Sequence, residues 1–139
     1  VNFLLDTNVV TETTRPQPSA AVLDWIAAQA AESLFISAIT IGELRRGALL
    51  LTEGKKRKAL LRWIETGIKA GFTGCILPVD TEVMERWAEL QATSEQAGRR
   101  LPLMDCLLAA TALAHGLTLA TRNITDFETA DVPLLDPWQ

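Results

Sequence analysis

Four acidic side chains occupy places in this sequence where oxygen-based chemistry is possible. Asp6 follows the apolar run Asn2 to Leu5, and Glu43 comes a few residues after Leu34-Phe35-Ile36. Asp105 comes just after Pro102, and Asp126 follows Leu117 to Ala120 with Asn123 between them. Brought together, three or four carboxylates repel one another. Two unit charges ~5 Å apart cost about 3 kcal/mol at an effective dielectric of ~20. Helix N-terminal dipoles behind Glu43 and Asp105 offset only about 0.3–1 kcal/mol apiece. Such a cluster holds protons, stays hydrated or binds a cation. An all-oxygen donor set favours a hard ion, Mg2+ or Mn2+. Ions of that kind activate water for in-line attack on a phosphodiester. Zinc chemistry of the His/Cys type is excluded, because His115 is the only histidine and Cys75 and Cys106 lack ligand spacing.

Taken singly, each acid has an ordinary explanation. Asp6-Thr7-Asn8 after a strand reads as a turn. Glu43 near a helix start reads as a capping or dipole partner, and Asp105 as a helix-start acid. Their joint placement is what matters, and that depends on the elements around them.

Short apolar runs alternate with amphipathic stretches. Strands are predicted at Asn2–Leu5, Leu34–Ile36, Cys75–Val79, Leu117–Ala120 and, at an edge that tolerates proline, Pro133–Leu135. Helices are predicted at Ser19–Ala31, with Ser19 as N-cap, and at Ile39–Leu51, capped by Ser37 or Thr40. Three more are predicted at Lys55–Ala70, at Thr81–Ala97 with Val83, Met84, Trp87 and Leu90 inward, and from Pro102 to His115, stopped by Gly116. This alternation implies an α/β fold, with a central parallel sheet of four to five strands covered by helices on both faces. Function in such a sheet is expected at the carboxyl ends of the strands. Asp6, Asn123 and Asp126 follow strands and lie at that edge. Glu43 and Asp105 sit near the starts of helices that begin there.

The 139 residues, with 48% hydrophobic and 22% charged, read as one globular domain spanning 1–139. No apolar stretch reaches the ~18 residues of a membrane span, and no basic region precedes an apolar core as in a signal peptide. Cys75 and Cys106 read as small buried hydrophobes in a reducing compartment. A net charge of −4 argues weakly against a nucleic-acid partner, yet basic residues cluster at Arg45-Arg46, Lys55–Lys58 and Arg99-Arg100. Arg99 and Arg100, just before Pro102 and close to the active edge, are the better candidates for contact with a polyanion. Lys55 to Lys58 read as a solvated face, and Trp63 reads as a partner contact, since it is offset from the Leu60–Ile64 face.

The ordered set Leu4–Val10, Ser37–Leu44, Asp105–Ala112 and Ala120-Thr121-Arg122-Asn123 with Asp126-Phe127 resembles the PIN-domain superfamily. More narrowly it resembles VapC-type toxin ribonucleases, and Arg15–Pro18 and Asp136-Pro137-Trp138 resemble the FitB-like branch. The resemblance covers nearly the whole chain. It implies a three-layer α/β/α fold and the toxin of a type II toxin–antitoxin pair, hydrolysing RNA phosphodiesters with Mg2+ or Mn2+. Asp6, Glu43 and Asp105 match the three core acids. At the fourth position, where the family often has aspartate, this chain has Asn123, and Asp126 is the candidate to replace it. Thr7 and Thr121 are implied to orient acids or waters, and Arg45 and Arg46 join Arg99 and Arg100 as RNA-binding candidates. The resemblance further implies a small antitoxin partner, a tRNA or rRNA substrate, DNA contact only through the antitoxin, a homodimer and a cytoplasmic setting. The alternative is a catalytically weak PIN-fold scaffold for its antitoxin or RNA, a reading that rests on Asn123.

Overall fold

The computed structural model describes residues 1–139. Its core is a five-stranded, all-parallel sheet of β1 (Phe3–Leu5), β2 (Leu34–Ser37), β3 (Ile76–Leu77), β4 (Thr118–Ala120) and β5 (Leu134–Leu135). The spatial order is β3-β2-β1-β4-β5. The chain moves outward from β1 on one side and later returns to build the other, so the order reverses between β1 and β4. A crevice opens at such a switch point, beyond the carboxyl ends of the two strands.

Period-two alternation decides what each strand buries. Phe3 and Leu5 face one core with Val22, Ile36, Leu44 and Ile64. Leu4 faces the other with Cys106, Ala109, Leu119 and Phe127. Both faces of β1 are therefore covered, as a parallel sheet requires.

The helices are α1 (Thr7–Glu12), α2 (Ala20–Ala28), α3 (Ala38–Leu49), α4 (Lys55–Arg62), α5 (Lys69–Gly71), α6 (Thr81–Gln96), α7 (Leu103–His115) and α8 (Ile124–Phe127). Ser19 caps α2 by accepting from the Val22 amide at 3.4 Å, and Ser37 caps α3 by accepting from the Ile39 amide at 3.0 Å. Gly116, with φ of 65°, closes α7 in the left-handed region. No helix is long and apolar enough to cross a membrane.

Several expectations need correcting. Asp6-Thr7-Asn8 is not a turn: Asp6 is the N-cap of α1, and Thr7 and Asn8 are already helical. The Lys55–Ala70 stretch is helical, but Trp63–Ile68 between α4 and α5 is wound as a π-helix. The Trp63 ring lies over Gly67, where a Cβ would stand 2.9 Å from Trp63 Cδ1, and it packs on the first core. It is used within the chain. Met84 is 39% exposed, while two polar residues further along α6, Gln91 and Ser94, are buried. Cys106 is fully buried, but Cys75 is only half-buried.

Candidate active site

The switch point is built around Asp6. The parallel register pairs Leu5 with Ala120, and the Asp6 amide donates to the Ala120 carbonyl at 2.9 Å. This hydrogen bond sets Asp6 beside Thr121, the residue that follows β4. The Thr121 hydroxyl is fully buried and donates to Asp6 Oδ2 at 2.7 Å. It accepts from the Asn123 amide at 3.0 Å and from Asn8 Nδ2 at 3.5 Å. The other carboxylate oxygen, Asp6 Oδ1, accepts from the Thr7 amide at 2.7 Å. Both oxygens of Asp6 are thus held by donors preset by the fold.

Thr7 links α1 to α3. Its hydroxyl donates to Glu43 Oε1 at 2.7 Å and is hydrogen-bonded to the buried Thr40 hydroxyl at 3.1 Å. A threonine hydroxyl carries one hydrogen, so with Glu43 as its acceptor it takes its other bond from Thr40. Thr40 and Glu43, three residues apart, lie on neighbouring positions of one face of α3, just beyond its Ser37 cap. Asp105 lies in the first turn of α7 and Asp126 in the first turn of α8.

The electrostatics show that these acids share one neighbourhood. Burial raises the Asp6 carboxyl above its usual range; the bonds from Thr121 and Thr7 pull it down, and the charges of Glu43 and Asp126 push it up. Burial also raises the Asp105 carboxyl, with Asp6, Asp126 and Glu43 pushing in the same direction. No cation relieves them: the ion pairs of the chain are Arg15–Glu12, Lys69–Glu65 and Arg100–Glu95. An uncompensated group of carboxylates with only oxygen donors suits a hard divalent cation. As placed, no three acidic, histidine or cysteine side chains converge closely enough to hold a metal ion by themselves. An ion bound among these acids would have to keep much of its water, as Mg2+ does.

The predicted site residues divide accordingly. Asp6, Glu43, Asp105 and Asp126 lie near enough to repel one another, and Thr7 and Thr121 join them through hydrogen bonds. Asn123 contributes its backbone amide to Thr121, and its side chain makes no hydrogen bond. Arg99 and Arg100 line a hollow together with Asp105 and Asp126. Arg46 is one turn beyond Glu43 on exposed α3 surface, whereas Arg45 is turned away from Glu43 by about 200°.

Three contributors lie outside the predicted site residues. Thr40 fits the three-residue spacing Ser37-Thr40-Glu43, which is a usable signal. Asn8, whose buried Oδ1 has no partner, takes its place only because β1 pairs with β4. Glu12 is buried at the end of α1, accepts from the Ser19 amide at 2.8 Å and pairs with Arg15 at 3.3 Å, tying down the proline-rich loop. Nothing in the sequence marks it.

Comparison with known proteins agrees with this geometry. The PIN domain pattern matches residues 3–132. The plasmid stability protein StbB of Pseudomonas syringae pv. tomato is 43% identical, covering 99% of both chains. Toxin FitB of Neisseria gonorrhoeae is 42% identical, covering 98% of both. The VapC ribonuclease Y4jK of Sinorhizobium fredii is 38% identical, covering 99% of this chain and 98% of its own. Among solved structures, FitAcB from Neisseria gonorrhoeae superposes with a TM-score of 0.93 at 41% identity, covering 99% of each chain. FitAB bound to an IR36 DNA fragment gives 0.92 at 39% identity, covering 99% of this chain and 96% of that one. The α/β architecture with its parallel sheet is the one these structures share. With the pattern spanning residues 3–132 and these relatives matched almost end to end, the chain belongs to the PIN domain family.

Proposed function

We propose that this chain is the toxin of a type II toxin–antitoxin pair and acts as a divalent-metal-dependent endoribonuclease. The observation that carries the reading is the unneutralised group of four acids at the switch point, with Asp6 and Glu43 fixed by Thr121 and Thr7. Relatives named as a toxin and as a ribonuclease support it, as do solved complexes of FitB-type chains, one of them bound to DNA.

Asp6, Glu43, Asp105 and Asp126 are the residues proposed to hold Mg2+ or Mn2+, with Asp126 supplying the charge that Asn123 lacks. The bound ion supplies Lewis-acid stabilisation of the phosphodiester and activation of water. The chain's own residues do the positioning. Thr121 and Thr7 keep the oxygens of Asp6 directed, Thr7 and Thr40 do the same for Glu43, and the α7 N-terminus favours the charged form of Asp105. Asp105 orients the attacking water. We further propose that residues 1–139 work as one domain in the cytoplasm and pair as a homodimer. In this reading the substrate is structured RNA such as tRNA or rRNA. A small antitoxin silences the site and carries any contact with DNA.

The test is digestion of total RNA with Mg2+ or Mn2+, with and without EDTA, alongside Asp6→Ala. Cleavage that EDTA and the substitution both abolish is the expected result. Cleavage that survives both overturns the mechanism. RNA that is bound but never cut by the wild type identifies a scaffold in place of an enzyme.

A further inference from the structure

The acidic site has an electrostatic problem with its own substrate. RNA is a polyanion, the chain carries a net charge of −4, and the site concentrates four acids. Charges are screened within ~10 Å at 0.1 M salt, so a distant cation does little to hold a phosphate beside those acids. Cations that solve this problem must share the same local space.

Arg99 and Arg100 meet that condition. They line an open hollow of about 340 Å³ whose other wall includes Asp105 and Asp126. Arg57 and Lys58 of the longer basic run line a different hollow, with Glu53, Gly54 and Leu61, and no site acid reaches it. Neither Arg99 nor Arg100 forms an ion pair with Asp105 or Asp126. Arg99 has no carboxylate partner, and Arg100 has only Glu95 at 3.7 Å, with the arginine side chain 81% exposed. The two arginines share this hollow with the acids without pairing with them.

The loop that carries them is held rigidly. The Arg99 amide donates to the Ser94 carbonyl at 2.8 Å, and the Ser94 hydroxyl donates to the Arg99 carbonyl. The Leu101 amide donates to Ser94 Oγ at 3.0 Å, and Gln91 Nε2 donates to the Leu101 carbonyl at 3.3 Å. Ser94 and Gln91 are 6% and 9% exposed, on a face of α6 where the helical pattern calls for apolar residues. Gly98, with φ of 72°, lets the chain leave α6 into this clamp. Two buried polar side chains therefore fix the backbone of a loop that presents two exposed arginines.

We propose that Arg99 and Arg100 form a preorganised phosphate grip, aimed by Ser94 and Gln91, that holds the RNA backbone against the acidic site. Guanidinium groups suit this task because their planar donor fork matches two phosphate oxygens at once. The inference deepens the ribonuclease reading and depends on RNA being the substrate. Ser94 and Gln91 are positioning residues that act through the arginines.

The test measures binding of a short fluorescein-labelled single-stranded RNA of mixed sequence to the full chain carrying Asp6→Asn, so that nothing is cut. Affinity is read across salt from about 50 to about 300 mM. Each lost phosphate contact lowers the slope of log K against log salt by about 0.7 on single strands, so Arg99→Ala with Arg100→Ala lowers it by about 1.4. The double lysine variant keeps the slope. Ser94→Ala, with both arginines intact, lowers it part of the way, a change that mere loss of packing does not produce. A slope unchanged in the double alanine variant overturns the proposal. So does a double alanine variant that binds RNA normally but no longer binds its protein partner, which assigns the arginines to that partner. Wild-type cleavage is scored separately: RNA cut by the wild type with an unchanged slope in the variant refutes the grip alone. RNA bound with the expected slope but left intact by the wild type refutes the nuclease reading alone.

Discussion

Replacing Thr121 by valine tests the core of the site with little change of shape. The two side chains are close to isosteric, so at this fully buried position no sizeable cavity opens. What disappears is the hydroxyl that donates to Asp6 Oδ2 at 2.7 Å and accepts from the Asn123 amide and Asn8 Nδ2. A hydrogen bond to a charged partner contributes about 1.5–3 kcal/mol. Asn123 is exposed, so its amide turns to water at little cost. The expected loss is about 2–3 kcal/mol at neutral pH without metal. At roughly 3 °C per kcal/mol for a domain of this size, the melting temperature falls by about 6–9 °C.

The pH dependence is the sharper signature. Asp6 is raised from 3.8 in the folded chain, so the folded state binds that proton more tightly than the unfolded state. Metal-free wild type therefore loses stability from this group as pH rises from the ordinary carboxylate value through the raised one. The Thr121 bond favours the charged form and limits that loss. Without it the carboxyl rises further, and the deficit of Thr121→Val grows with pH until Asp6 is ionised in both proteins. Urea denaturation of wild type, Thr121→Val and Thr121→Ser in EDTA, from about pH 4 to about pH 8, measures this. The serine variant retains most of the stability. A valine deficit that does not vary with pH, or a serine variant as weak as valine, would refute the argument and leave Thr121 as a packing residue.

Two further outcomes follow from the same site. Asp105→Asn stabilises the metal-free protein at neutral pH, because it removes a carboxyl raised by burial and by three neighbouring acids, and the gain vanishes below the ordinary carboxylate range. Mg2+ raises the melting temperature of the wild type and does so less for this variant; equal shifts in both exclude Asp105 as a ligand. The two cysteines differ in reactivity: Cys106 is fully buried, and burial and then Asp105 push its thiol up, while Cys75 is half-buried. Iodoacetamide modifies Cys75 in the folded chain and reaches Cys106 only on unfolding, as mass spectrometry of the digested protein will record; Cys106 labelled as fast as Cys75 contradicts the packing of α7 on the sheet.

Much of the frame was readable in the linear pattern because its causes are local. Short apolar runs mark the strands, and all five were found, though β3 shrank from Cys75–Val79 to Ile76–Leu77. Ser19, Ser37 and Gly116 act as caps where their side chains or left-handed backbone serve the adjoining helix. The misreadings also have local causes. Asp-Thr-Asn suits a turn and a helix start equally well, and only the chain beyond it, Val9 and Val10 against the core, decides for the helix. Period alone placed Met84 inward, but Gln91 and Ser94 are buried instead because the loop after α6 needs their hydrogen bonds.

The sequence by itself determined which residue types the site contains and that strand order would carry them to one edge. Strands, caps and helix starts depend on neighbours a few residues away, and those neighbours are written in order along the chain. Only the tertiary structure decided that β1 lies against β4, so that Thr121 grips Asp6 across 115 positions, and that Asp126 stands among the acids while Asn123 offers only its amide. Repulsion, burial and hydrogen bonding all depend on distance through space, and that distance does not exist until the sheet has closed.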